Sequence, residues 1–150
     1  TCMTLTPQRL RRLVKQRGRL EKLQAGELAG AARLYRRRED ALNESLGNRE
    51  QLMESTANDG PLDVADFLAA GAYLRRVDRE IGARRAALEH SANDVEEERN
   101  ELLLRRRDRK AMEALLDKRL EEERIERSRA ESRLIDELAT TRWRPRGGGL

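Results

Sequence analysis

Apolar residues recur at an unbroken seven-residue interval through Phe67, Leu74, Ile81, Leu88, Val95 and Leu102; Arg109 interrupts the row and Leu116 resumes it. A strict seven-residue repeat keeps one stripe of an α-helix against a partner only if the two helices wrap left-handedly around each other. The stretch from Val64 to Thr141 is therefore expected to be one arm of a coiled coil. A second stripe, three residues on, holds Ala70, Val77, Ser91 and Met112 but also Arg84, Glu98 and Arg105, so the seam is expected to be weak and wet in places. No proline and only Gly71 and Gly82 fall between Val64 and Thr141. Nothing obliges that helix to stop, and at about 1.5 Å per residue it would extend roughly 115 Å.

Upstream, Thr6-Pro7 reads as a helix start, with Thr6 as N-cap and Pro7 at the first helical position, where its missing N–H costs nothing. Leu10, Leu13, Leu20, Leu34 and Ala41 follow at heptad-related spacing, joined by Val14, Leu23 and Leu46, while Leu28, Tyr35 and Leu42 repeat on a different stripe. That change of phase reads as a stutter that loosens the supercoil. The first arm, about residues 6–54, ends before Ser55 to Asp63, where Asn58-Asp59-Gly60-Pro61 concentrates turn formers and Asp63 can cap the next helix. Helices joined by so short a connection pack antiparallel as neighbours. The fold class expected is all-α: residues 1–150 as a single antiparallel coiled-coil hairpin, with helices at about 6–54 and 64–141, the second longer.

Pairing Glu54 with Val64 sets a register that places Leu34 near Arg84, Leu20 near Glu98 and Pro7 near Ala111. Ala29 to Ala32 then face Ala86 and Ala87, which predicts the closest approach of the two axes there. The same register leaves residues 112–141 without a partner inside the chain, although Met112, Leu115, Leu116, Leu120, Ile125, Leu134, Ile135 and Leu138 keep an apolar stripe. An unpaired helix in water has no use for such a stripe. The overhang is expected to dock into another protein or to pair with a second copy. The tail, residues 144–150, holds Pro145 and three glycines and is expected to be disordered.

Composition supports a long helix over a globule: 40% of residues are charged and only 3% aromatic, too few large side chains for a three-dimensional core. High charge also suits disorder, but 32 basic and 28 acidic residues nearly balance and the apolar ones are in register. The net charge of +4 permits nucleic acid or an acidic membrane as partner without requiring either. Base-stacking side chains are scarce, and the runs Arg36 to Arg38 and Arg105 to Arg107 wind around the helix as solvated faces, so no nucleic acid is expected. Cys2, the single cysteine, excludes an intrachain disulfide. The apolar run Phe67 to Leu74 is far shorter than the roughly 20 residues that span a bilayer, and the basic Arg9, Arg11 and Arg12 do not read as following a signal peptide, so export by that route is not expected.

Catalytic chemistry is not expected. Gly147 to Gly149 lack the lysine and helix of a phosphate-binding loop. His90 stands beside Glu89 on a helix and reads as a solvated surface residue. The carboxylate clusters Glu96 to Glu98 and Glu121 to Glu123 would need a partly dry pocket to separate their pKa values, and a two-helix hairpin offers none. No cofactor or metal is called for.

The short-looped hairpin, its longer second arm and the run "RAESRLIDELATTRW" together resemble the FliJ family of flagellar type III export proteins. The matching positions are Arg133, Asp136, Glu137, Leu138, Ala139 and Arg142; elsewhere the likeness is one of architecture. The resemblance implies a cytoplasmic, non-catalytic stalk, similar to the γ subunit of rotary ATP synthases, that enters the pore of the hexameric export ATPase, FliI. Its other end would meet the membrane export gate, FlhA, at the inner face of the membrane, and it would handle export chaperones. By the same resemblance Arg133, Asp136, Glu137, Leu138 and Arg142 would contact the ATPase, while Leu42, Leu46, Tyr73 and Val77 would contact the gate. The family tends to carry aromatics where Leu42 and Leu46 stand. A virulence secretion stalk of the YscO kind shares this plan, and a generic coiled-coil scaffold or chaperone that binds client helices on the same stripe is the remaining alternative.

Overall fold

A computed structural model describes residues 5–61 and 63–143. It contains α1 (Pro7–Asn58) and α2 (Val64–Arg142), an all-α hairpin whose second helix is longer, with 79 residues against 52. The tail expected to be disordered lies outside the described residues. Thr6 caps α1 as its sequence suggested: its Oγ1 accepts from the Arg9 amide at 3.4 Å, and its carbonyl accepts from the Leu10 amide at 3.0 Å. At the other end α1 runs four residues past the expected Glu54. Thr56 keeps helical company there, donating its hydroxyl to the Leu52 carbonyl at 2.7 Å, and the Asp59 amide reaches the Ser55 carbonyl at 3.2 Å. Gly60 then turns the chain with φ at 73°, a left-handed conformation that a side chain resists. The Asp63 carbonyl accepts the first bond of α2, from the Phe67 amide at 2.9 Å.

Contacts divide the chain into two compact units, Leu20–Arg105 and Thr1–Arg19 with Arg106–Leu150. In the first, Leu42, Val77 and Ile81 form a buried cluster against which Leu46 and Leu88 pack. Around it the seam is held by polar side chains that reach across. Arg84 donates to the Ala41 carbonyl and Ser45 Oγ, Arg38 donates to the Ala87 carbonyl and Ser91 Oγ, and Gln24 donates to the Glu98 carbonyl and carboxylate. The seam expected to be wet is thus bonded directly at Arg84, Ser91 and Glu98. In the second unit Leu10 is buried, and Arg17 faces Asp108 at 3.8 Å.

Both stripes of α2 keep to the seam: from Leu74 to Leu116 and from Ala70 to Arg119, at every seventh position, no member is exposed. α1 matches them without a stutter. Leu10, Arg17, Gln24, Ala31, Arg38, Ser45 and Leu52 form one unexposed heptad row, and Val14, Glu21, Leu28, Tyr35, Leu42, Arg49 and Thr56 form the other. The phase change read from the leucines arose because polar side chains occupy four positions of the first row.

The expected register is displaced by one heptad. Arg84, expected beside Leu34, instead bonds to Ala41 and Ser45, and Glu98, expected beside Leu20, bonds to Gln24. The cause lies at the turn, where the extra helical residues of α1 move every facing pair. One consequence is that Gly30 and Ala31 do not meet Ala86 and Ala87. They line a hollow of about 230 Å³ with Leu34, Ser91, Asp94 and Glu98.

Replacing Ile81 or Leu42 by alanine is expected to destabilise the hairpin by about 2–4 kcal/mol, since either change opens the buried cluster. The Arg49–Asp78 pair at the edge of the seam, 2.7 Å apart and partly open to solvent, should cost no more than about 0.5 kcal/mol when both residues become alanine. Urea denaturation followed by circular dichroism distinguishes the two classes.

Candidate functional site

Every described residue from Arg124 to Trp143 is exposed, although α2 remains helical to Arg142. α1 begins at Pro7, and around its start Leu5, Leu10, Leu115, Lys118, Arg119 and Glu122 line a shallow hollow of about 210 Å³. The unpaired stretch therefore begins near Arg124, not at the expected Met112; Met112, Leu116 and Leu120 are half-buried. The heptad displacement is the reason, because it carries the start of α1 further along α2.

The free stretch has two parts. From Arg124 to Arg133 it is almost wholly polar, with Ile125 as its one large apolar side chain. From Leu134 to Leu138 the apolar content returns: Leu134, Ile135 and Leu138 are each more than half exposed, and their spacing puts them on one side of the helix. Asp136 and Glu137 alternate with them, and Arg133 and Arg142 flank them. The sequence-derived set Arg133, Asp136, Glu137, Leu138 and Arg142 thus falls together on one exposed helical segment. Thr140 and Thr141 turn their hydroxyls back onto the Asp136 and Glu137 carbonyls at 2.6 and 2.5 Å. These bonds occupy the threonine donors and leave the carboxylates turned to solvent.

At the near edge, Arg124 donates to both Glu121 carboxylate oxygens, at 2.7 and 3.0 Å. That hydrogen bonding, with the guanidinium charge behind it, holds the Glu121 carboxyl below the usual carboxylate range and raises Arg124. A depressed carboxyl contributes most at neutral pH and loses its contribution as pH falls through its lowered pKa. With both groups fully exposed, the pair steadies a helical turn and does little more.

The residues proposed for the opposite end are not a common surface. Leu42 and Val77 are buried in the core cluster and Leu46 packs against it, so these three side chains close the seam and present little to a partner. Val77 could have been recognised as a core residue, since it lies on the second heptad stripe. Tyr73 is exposed, and so are Val64, Phe67 and Leu68 in the first turns of α2 and Met53 in the last turns of α1. Phe67 begins the most regular apolar row in the sequence, yet it is 65% exposed. The periodicity alone hid it, because the row continues past the last turn of α1 that could cover it.

Among the described residues no group of three or more His, Cys, Asp or Glu could hold a metal ion, and no helix is long and apolar enough to cross a membrane. The arrangement offers helical surfaces for docking. Residues 7–148 match the family model described as Flagellar FliJ protein. No match to the chain was found among curated proteins or solved structures.

Backbone amides from Arg124 to Arg142 should exchange with deuterium far faster than those around Val77 and Ile81, because only the latter lie in a paired, buried stretch. Mass-spectrometric exchange of the full chain checks this; equal protection across both stretches would show that the C-terminal stretch is covered in solution.

Proposed function

The chain belongs to the FliJ family, and from that premise we propose that it is the non-catalytic stalk of the flagellar export apparatus, seated in the export ATPase ring and linking it to the export gate. Membership makes it a component of flagellar protein export, which favours this reading over a virulence secretion stalk. The observation that carries the finer reading is the exposed helical stretch from Arg124 to Arg142, with Leu134, Ile135 and Leu138 uncovered at its end. A ring of ATPase subunits would cover that face. Leu138 would pack, while Arg133, Asp136, Glu137 and Arg142 would supply polar contacts.

A single shaft inside a ring of identical subunits meets each subunit differently. It can thereby bias ring assembly and the order of turnover without performing chemistry. At the other end, Tyr73 supplies the gate contact together with Phe67 and Leu68, which are also exposed. Leu42, Leu46 and Val77 support that end from within the seam. Export chaperones would be handled on the same exposed surfaces.

A chain ending at Glu123 should retain the buried cluster and its thermal transition but lose stimulation of the hexameric ATPase. Full stimulation by that truncated chain would refute the assignment. Tyr73→Ala together with Phe67→Ala should leave stimulation intact and weaken capture of the gate protein's cytoplasmic domain, read by pull-down.

A further inference from the structure

The pattern R-x-x-A-L-x-x-S occurs twice, at residues 38–45 in α1 and at 84–91 in α2. The structure brings the two copies against each other. Arg38 Nη1 donates to the Ala87 carbonyl at 2.9 Å and to Ser91 Oγ at 2.8 Å. Arg84 Nη1 donates to the Ala41 carbonyl at 2.5 Å and to Ser45 Oγ at 2.6 Å. Each arginine therefore grips the alanine and serine of the other copy, so the two segments are related by an approximate two-fold axis crossing the seam. Ser45 and Ser91 are the buried polar residues of the described chain, at 2% and 1% exposure. Arg84 is also held from its own helix by Glu80 at 2.7 Å.

Apolar packing alone does not select this alignment. Sliding one helix past the other by a heptad returns every seam position to the seam, so the leucine rows fit almost as well. The competing alignment can be named: it is the one with Arg84 beside Leu34 and Ala29 to Ala32 beside Ala86 and Ala87. It needs only that α1 end a turn earlier, before a stretch already rich in turn formers. In that alignment both buried serines lose their guanidinium donors and each arginine loses its hydroxyl acceptor. Removing partners from buried polar groups carries the full desolvation penalty.

We propose that the paired R-x-x-A-L-x-x-S segments are a self-complementary register lock, in which Arg38, Ser45, Arg84 and Ser91 are positioning residues that reject the heptad-shifted hairpin. The lock acts by selection more than by added stability, the role best attested for polar residues inside coiled coils. It also enforces the antiparallel sense, since the two grips close simultaneously only about a two-fold axis. This inference is independent of the stalk reading, because it concerns the hairpin itself.

Two cysteine pairs in the full chain, with Cys2→Ser, report the alignment. Arg49→Cys with Asp78→Cys should oxidise in the observed register, where the two native side chains meet at 2.7 Å. Arg49→Cys with Gly71→Cys should oxidise only in the shifted one, and Gly71 has open space for a side chain. With the lock intact, only the 49–78 disulfide is expected. With Arg38→Met, Ser45→Ala, Arg84→Met and Ser91→Ala combined, the helical signal should persist while the 49–71 product rises to a share comparable with 49–78. Arg38→Lys with Arg84→Lys, which retains a donor on each side, should keep the 49–78 product dominant. Exclusive 49–78 oxidation in the four-fold variant would overturn the proposal. Loss of its helical signal would overturn it equally, by making the contacts a source of stability and not of selection.

Discussion

Two helices with no third layer can hide side chains only along the line where they meet. That constraint governs the structure. Each helix gives the seam two rows at seven-residue spacing, and where the helices face each other whatever stands on those rows is at least partly taken out of water whether or not it is apolar. Where the rows carry Leu42, Val77 and Ile81, they make a small core. Where they carry Arg38, Arg84, Gln24 or Ser91, the helices must satisfy them, since a buried donor or acceptor without a partner costs more than a hydrogen bond returns. The polar bonds across the seam are thus the necessary complement of an apolar surface too sparse to fill two full rows.

This explains what could be read in advance and what could not. α2 was legible because its first row is apolar for six consecutive heptads, a signal that few other arrangements produce. The turn was legible because Asn58-Asp59-Gly60-Pro61 leaves the chain little else to do. The phase of α1 was not, because Arg17, Gln24, Arg38 and Ser45 stand where leucines would have marked the row. Register was the least accessible quantity, as a repeat is by definition nearly indifferent to a shift by its own period. The hydrogen bonds that settle it join Arg84 to Ser45 and Arg38 to Ser91, residues whose relation is visible only when the copies are laid together.

The errors at the candidate sites follow from the same source. A register displaced by a heptad misplaced the start of the unpaired stretch, and with it Met112, Leu116 and Leu120, which are half-buried. Val77 and Leu42 were assigned to a gate contact through the family resemblance, yet they stand on heptad rows of the seam and carry the core. The residues of the C-terminal run lie together on one exposed segment because, on a single helix past its partner, sequence spacing is spatial arrangement. Phe67 shows the converse: membership of a perfect heptad row means burial only where the opposite helix is still present.

The exposed end of α2 is more than leftover chain. An isolated helix must first form a nucleus, and segments of fewer than about 12–15 residues are marginal in water for that reason. Residues 124–142 escape this requirement because they extend a helix already paired upstream, and pairs such as Glu121 with Arg124 steady the junction. A partner meeting Leu134, Ile135 and Leu138 would find them already set on one side of a formed helix, so little ordering would be charged against binding. The hairpin therefore serves its free end in a physical sense: it supplies the nucleus and the direction, while the uncovered leucines and isoleucine supply the contact.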